Sequence, residues 1–393
     1  MDTRKILHVS MFTPGLNGRW GLPLLWWGKP GVGKSRVIET VATALGLMCH
    51  TLVASIREPA DFGGLPIPVE RGRRRFMEYA PPGWASDFEI DGDGRGVVFV
   101  DELTTTAPAT QAALLRMVLD GALGDYYFPR GVRFVAAANP VADAAGGWDL
   151  TPPLANRFGH LNWESPEPAD WCDWLIGANG ASTDDVGDDE RISSETEEAR
   201  VMAAWPTAFA KAKGVVAGFV KARPDLLHRM PDAGSSGRGK AWPSHRTWEM
   251  ATRALAGCDV HGADDIIVDE LVASFVGPGA GSELTTFRTK VKLPDPEAVL
   301  DGKVKFKHEP ARLDRTVAVL SSCSALVTSG KCERQNERSE KLWEIIGGMV
   351  GDAADLTVPA ARALVRKRLH QGGEAKKSLI ALQPILEAAG VRP

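Results

Sequence analysis

Residues 28–35 read Gly-Lys-Pro-Gly-Val-Gly-Lys-Ser, the spacing GxxxxGK[ST] that lets a short loop hold a phosphate. Gly28, Gly31 and Gly33 leave the backbone free to curl so that successive N–H groups point inward, where side chains would block the approach. Lys34 adds a point charge for the outer phosphates and Ser35 offers a hydroxyl to Mg²⁺. A helix starting near Lys34 aims its positive end at the same anion. Lys29, Pro30, Val32 and Arg36 complete the stretch expected to wrap such a ligand.

Four later stretches supply the rest of a hydrolytic site, in order. The run Val97-Val98-Phe99-Val100 ends in Asp101-Glu102, a pair able to hold the water shell of Mg²⁺ (Asp101) and to act as general base on an attacking water (Glu102). The run Val132 to Ala138 ends in Asn139-Pro140, whose amide can orient that water or touch the terminal phosphate. Leu154-Ala155-Asn156-Arg157-Phe158 carries an arginine beside an aromatic anchor, and Trp242-Pro243-Ser244-His245-Arg246-Thr247-Trp248 puts Arg246 in the first turn of a helix begun at Ser244 or Pro243. Taken singly, each arginine reads more readily as a salt-bridge partner. In this order and spacing, guanidinium groups set against developing phosphate charge become the better reading.

The elements that must position these residues follow from their flanks. Leu24 to Trp27 is a buried strand leading into the loop, and Ser35 to Leu47 is the helix leaving it. The apolar runs ending at Val100 and Ala138 are central parallel strands covered on both faces, and ligands bind at the C-terminal edge of such sheets. The predicted fold is α/β, a parallel-sheet αβα nucleotide domain followed by an all-α lid and a helical C-terminal extension.

In these motifs the chain resembles the AAA+ ATPases, and within them the MoxR-like or dynein-related group with an insert in helix 2. The resemblance covers residues 20–165 closely and reaches more loosely to about residue 320. It implies Walker A at Gly28–Ser35, Walker B at Val97–Glu102, sensor 1 at Asn139, the arginine finger at Arg157 and sensor 2 at Arg246. The group-level likeness rests on Arg57-Glu58-Pro59-Ala60-Asp61-Phe62-Gly63-Gly64-Leu65-Pro66, on Pro-Ser-x-Arg around Arg246, and on Leu293-Pro294-Asp295-Pro296-Glu297. One departure is Asn156, where relatives more often carry an acidic residue before the arginine. The polar switch residue that some relatives place on the second strand could be Thr51 or Ser55.

Composition fits this reading. The 393 residues can bury substantial cores, and a formal charge of −4 with a pI near 6.1 argues against a general polyanion binder. Cys49, Cys172, Cys258, Cys323 and Cys332 are odd in number, scattered and without metal-ligand spacing, which suggests a reducing compartment. No apolar run approaches the roughly 20 residues that span a bilayer, so a cytoplasmic, membrane-free protein is expected.

The expected organisation is an ATP-binding domain over 1–163 with the helix-2 insert at about 57–84. A helical lid over 164–285 carries sensor 2 and an acidic variable loop at 181–200, where eight acids meet two arginines, and a helical extension covers 286–393. The loop through Pro14, Gly15, Asn17 and Gly18 is expected over the adenine. Amphipathic spacing predicts helices over Leu313–Val327, Leu342–Val350 and Ala360–Leu369. The bases at 366–368 and 376–377 lack interleaved aromatics and read as a solvated face. Leu65 to Val69 and Phe76 to Tyr79 predict a hairpin around Glu70-Arg71-Gly72-Arg73-Arg74-Arg75, with Gly72 in the turn.

The function this implies is Mg²⁺-dependent ATP hydrolysis in a homo-oligomeric, hexameric ring. The work would be remodelling or maturation of a partner protein complex, together with a von Willebrand factor A domain protein. The insert hairpin would present a basic collar toward the pore. A nucleic-acid translocase and a nucleotide-gated scaffold are the alternatives. A small-molecule phosphotransferase would have no use for Arg246 on a distant helix.

Overall fold

The computed structural model describes residues 2–140, 143, 147–176 and 193–390. Of the acidic stretch 181–200, residues 181–192 lie outside the described residues, and Ser194 opens the helix Ser194–Ala222. The chain forms two compact units. One holds the chain up to Val201 together with His228–Gly281, and the other holds Met202–Leu227 and the chain from Ser282 onward.

The described residues of the first unit form nine strands: β1 (Leu24–Trp27), β2 (Met48–Val53), β3 (Leu65–Arg71), β4 (Arg74–Ala80), β5 (Arg95–Asp101), β6 (Ala122–Leu123), β7 (Tyr126–Tyr127), β8 (Gly131–Ala138) and β9 (Gly159–Asn162). Five of them make a parallel sheet in the order β2-β5-β8-β1-β9. The apolar runs are the reason for that order. Residues 97–100, 132–138 and 24–27 are buried, and strands without a polar face must lie where helices cover both sides. The crossover helices include Lys34–Ala44 and Pro108–Asp120.

The outer strand β9 reads weakly in the sequence because it is four residues long and carries Gly159, His160 and Asn162. It holds its place by packing. A Cβ on Gly159 would lie 2.5 Å from Ser274 Oγ and 2.8 Å from Phe275, on the helix Asp265–Val276. The helix His245–Val260 likewise packs against the N-terminal helix Thr3–Met11, where Gly257 leaves room for Thr13 just beyond its end. Arg133 on β8 is fully buried and is neutralised by Glu198 at 2.5 Å, while donating to Met11 O.

The hairpin of β3 and β4 is longer than its apolar residues predict, pairing from Leu65↔Ala80 to Arg71↔Arg74 around a two-residue turn. Gly72 has φ 67°, the conformation a tight hairpin asks of glycine. Pro66 faces Tyr79 and Pro68 faces Met77. Both faces are open to solvent, with Leu65, Ile67, Phe76, Met77 and Tyr79 exposed. Arg71 pairs with Glu78 and Arg75 with Glu70, while Arg73 and Arg74 make no ion pair among the described residues.

The second unit is helical. Pro296–Leu300, Leu313–Val327, Gln335–Gly347, Val350–Arg366 and Gly373–Ala388 close around Leu320, Leu326, Leu342, Trp343, Leu364 and Leu382. The stretch 293–297 forms a helix start, with Asp295 accepting from the Glu297 N–H at 3.0 Å. Buried Arg338 joins Asp301 at 2.9 Å and Glu297 at 3.4 Å, tying Gln335–Gly347 to this short helix. The expected helix 342–350 is divided, because the chain breaks helical pairing at Gly348-Met349 before Val350–Arg366 begins. The bases at 366–368 and 376–377 are exposed. No described helix is long and apolar enough to cross a membrane.

Candidate functional site

The glycine-rich loop links β1 to the helix Lys34–Ala44, and its glycines serve two different purposes. Gly31 and Gly33 have φ of 77° and 84° with open space where a Cβ would sit, so backbone angle demands glycine there. Gly28 is crowded instead, since a Cβ would come 2.7 Å from Trp163 Cβ and 3.3 Å from Lys34 Cδ. Lys34 is buried, and its Nζ donates to Gly28 O at 2.7 Å, Lys29 O at 2.9 Å and Asn139 Oδ1 at 2.9 Å. Burial lowers the Lys34 pKa, and the nearby Asp101 carboxylate works against that shift.

The other strand ends arrive at the same edge of the sheet. Asp101 Oδ2 accepts from Ser35 Oγ at 2.5 Å, and Asp101 Oδ1 accepts from the Glu102 N–H at 2.8 Å. Glu102 takes a left-handed backbone, φ 57° and ψ 38°, uncommon for a residue with a side chain and typical of functional turns. Its carbonyl is capped by Thr105 Oγ1 at 2.7 Å, and its carboxylate accepts from Ser55 Oγ. Thr51 donates elsewhere, to Glu39 Oε1 at 2.6 Å, so Ser55 rather than Thr51 meets the acid. The Asn139 carbonyl is held by Thr104 Oγ1 at 2.8 Å, which keeps the amide turned toward Lys34.

Chemically, this edge combines two kinds of ligand. A hydroxyl and a carboxylate at 2.5 Å form an oxygen donor set of the type that Mg²⁺ takes. A glycine loop, a lysine and a helix N-terminus form an anion site. Pro30, Val32 and Arg36 lie in the loop and the first turn of the helix that follows it.

Arg157 and Arg246 lie together, apart from this edge. Arg157 is two residues before β9, which runs parallel to β1 with Gly159 opposite Leu24. Four residues of strand rise, about 13 Å, separate the level of Gly159 from Gly28, farther than an arginine side chain reaches. Arg157 donates to Pro153 O, its Nε has no hydrogen-bond partner among the described residues, and burial followed by the charge of Arg246 lowers its pKa. Both arginines line one pocket with Arg19, Trp20, Phe134 and Met250.

Asn156 explains the pairing of the two arginines. Its buried amide accepts from Ser244 Oγ at 2.9 Å and Arg246 at 3.5 Å, and donates to Trp242 O at 3.4 Å. Ser244 is the N-cap of His245–Val260, closing a capping box with Thr247. A neutral amide that both donates and accepts meets these partners, which an acid at this position would not.

Two residues around the loop were not singled out from the sequence. His160 on β9 is half-buried between Trp27, whose Nε1 donates to His160 Nδ1 at 3.0 Å, and Ala155 O at 2.9 Å from Nε2. Trp163, just after β9, donates through Nε1 to Val32 O at 3.2 Å. Neither has a spacing or motif that would mark it before folding.

No protein-family model matches the chain, and no curated protein matches it. Among solved structures it is similar to a protein from Cytophaga hutchinsonii ATCC 33406 provisionally named an ATPase. The identity is 13% over 78% of this chain and 89% of that one, with a TM-score of 0.43. A likeness at that level says nothing of what this chain does, and the site residues stand on their own geometry.

Proposed function

We propose that the chain is an AAA+ ATPase of the MoxR-like kind, coupling Mg²⁺-dependent ATP hydrolysis in a ring to remodelling of a partner protein complex. One observation carries this reading: at a single sheet edge, Lys34 is hydrogen-bonded to Asn139 and, beside it, Ser35 to Asp101, drawing on the ends of three different strands. A structural salt bridge would need only two of them.

In this reading Lys34 exchanges the Gly28 and Lys29 carbonyls for phosphate oxygens of ATP, and Asn139 keeps its ammonium aimed at them. Ser35 and Asp101 would hold Mg²⁺, which supplies neutralisation of phosphate charge when bound. Glu102 takes a proton from the attacking water once its carboxylate leaves Ser55. Arg157, at the end of β9 remote from the loop of its own chain, and Arg246 beside it serve the site of a neighbouring subunit. That requirement favours an oligomer, and the hexamer follows from the resemblance. The hairpin β3–β4, exposed on both faces and with no ion pair to Arg73 or Arg74 among the described residues, is the part suited to grip a protein partner. A von Willebrand factor A domain protein is the expected co-worker.

ATPase rate against protein concentration, with native mass analysis and with or without DNA, tests this. A specific activity that climbs as oligomers form and ignores DNA is expected. A flat, DNA-stimulated rate points to a nucleic-acid motor instead.

A further inference from the structure

The glycine-rich loop has two glycines at positive φ with open space around them, so little within the loop itself dictates how its peptides face. An anion site of backbone N–H groups works only if those groups are turned the right way before the ligand arrives. Something outside the loop must therefore hold it.

Trp163 is placed to do so. Its backbone N–H donates to Trp27 O at 2.6 Å, its ring packs edge-on against buried Trp26 with centroids 5.4 Å apart, and its Cβ fills the space beside Gly28. From this anchored position its indole N–H takes the Val32 carbonyl at 3.2 Å. In a trans peptide the carbonyl and the next N–H point in opposite directions. Holding Val32 C=O against the indole therefore turns the Gly33 N–H away from it.

We propose that Trp163 is a positioning residue for the phosphate loop, presetting the Val32–Gly33 peptide so that the Gly33 N–H is available to a nucleoside di- or triphosphate. The inference rests on the proposed function, because it concerns the loop assigned there to ATP. Trp163 touches the loop backbone and is assigned no contact with the nucleotide.

The test uses the full chain and two variants, with Mg²⁺ and ADP as the probe. Trp163→Phe keeps an aromatic ring against Trp26 and removes the donor, and Trp163→Ala removes both. Calorimetry should find ADP bound roughly tenfold more weakly by Trp163→Phe, the size of one hydrogen bond. Its ligand-free melting temperature should stay close to that of the parent. Trp163→Ala should show the same loss of affinity and a lower melting temperature. Unchanged ADP affinity in Trp163→Phe overturns the inference, whatever Trp163→Ala does, since packing alone would then account for the residue. A parent chain that fails to bind ADP overturns the proposed function itself, an outcome distinct from binding that ignores Trp163.

Discussion

Lys34 Nζ sits 2.9 Å from Asn139 Oδ1, although the two residues are 105 apart in sequence. The contact follows from β1 and β8 being hydrogen-bonded neighbours that run in the same direction. Trp27 lies opposite Ala138, so the residues that follow each strand emerge side by side. Any enzyme built on this edge has its lysine and its amide aligned before a ligand enters.

Glu102 is the first residue to test. With Asp101 left to hold the metal, Glu102→Gln should bind ATP as before and release phosphate at least about 100-fold more slowly. Binding and phosphate release measured on the same preparation separate the two effects. Equal turnover in the variant would remove Glu102 as the base.

Arg157 should act across a subunit boundary. Arg157→Ala and Lys34→Ala should each lose activity alone, the former by on the order of 10³. Mixing them should restore part of it at interfaces where an intact loop meets an intact arginine. No recovery at any mixing ratio would count against a finger supplied by the neighbour.

Reversing Arg73 and Arg74 to glutamate should leave ATP hydrolysis near the parental rate and abolish work on a partner. The variants touch neither the five-stranded sheet nor the glycine-rich loop, and among the described residues the two arginines have no ion pair to lose. A remodelling assay run beside an ATPase assay decides it, and unchanged remodelling sinks the idea.

His160 gives the first unit a pH dependence. Burial pushes its pKa down to about 4 from 6.5, so the ring is neutral in the folded chain. Between those values the unfolded chain takes up a proton that the folded chain refuses. Stability is therefore full above about pH 6.5 and falls as pH drops toward 4, by up to about 3 kcal/mol. His261, which burial also pushes down to about 4, adds in the same window. Melting temperatures from pH 7.5 to 4.5 should fall less steeply in His160→Gln, and an undiminished slope would exclude His160 as a source.

Asn156→Ala should cost roughly 1–3 kcal/mol, because Trp242 O and Ser244 Oγ lose a buried partner. Denaturant midpoints measure that cost. If the arginine pair also depends on Asn156, activity should fall more than the fraction unfolded accounts for.

What the sequence reveals here depends on how local the signal is. β1, β5 and β8 announce themselves as largely apolar runs, and each ends on or just before a residue that matters, because the strand tip and the chemistry are adjacent in the chain. β9 carries no such pattern, since its place is decided by Ser274 and Phe275 more than a hundred residues later. The choice between Thr51 and Ser55 needed the reach of the Glu102 side chain, and the proximity of Arg246 to Arg157 needed the Asn156 amide. These are tertiary facts with no spacing to betray them.

Pro66 and Pro68 carry a consequence for how the exposed hairpin survives. The β3–β4 ladder runs unbroken past both prolines, so their nitrogens belong to the outer edge of β3, away from β4. That edge is short of two donors and cannot template another strand. A hairpin with apolar residues on both faces would otherwise invite edge-to-edge aggregation. Growth of a longer sheet from the β3 side is therefore disfavoured, while the β4 edge keeps its donors, so a visitor to the β3 side must meet the hairpin through side chains, which also leaves it free to let go.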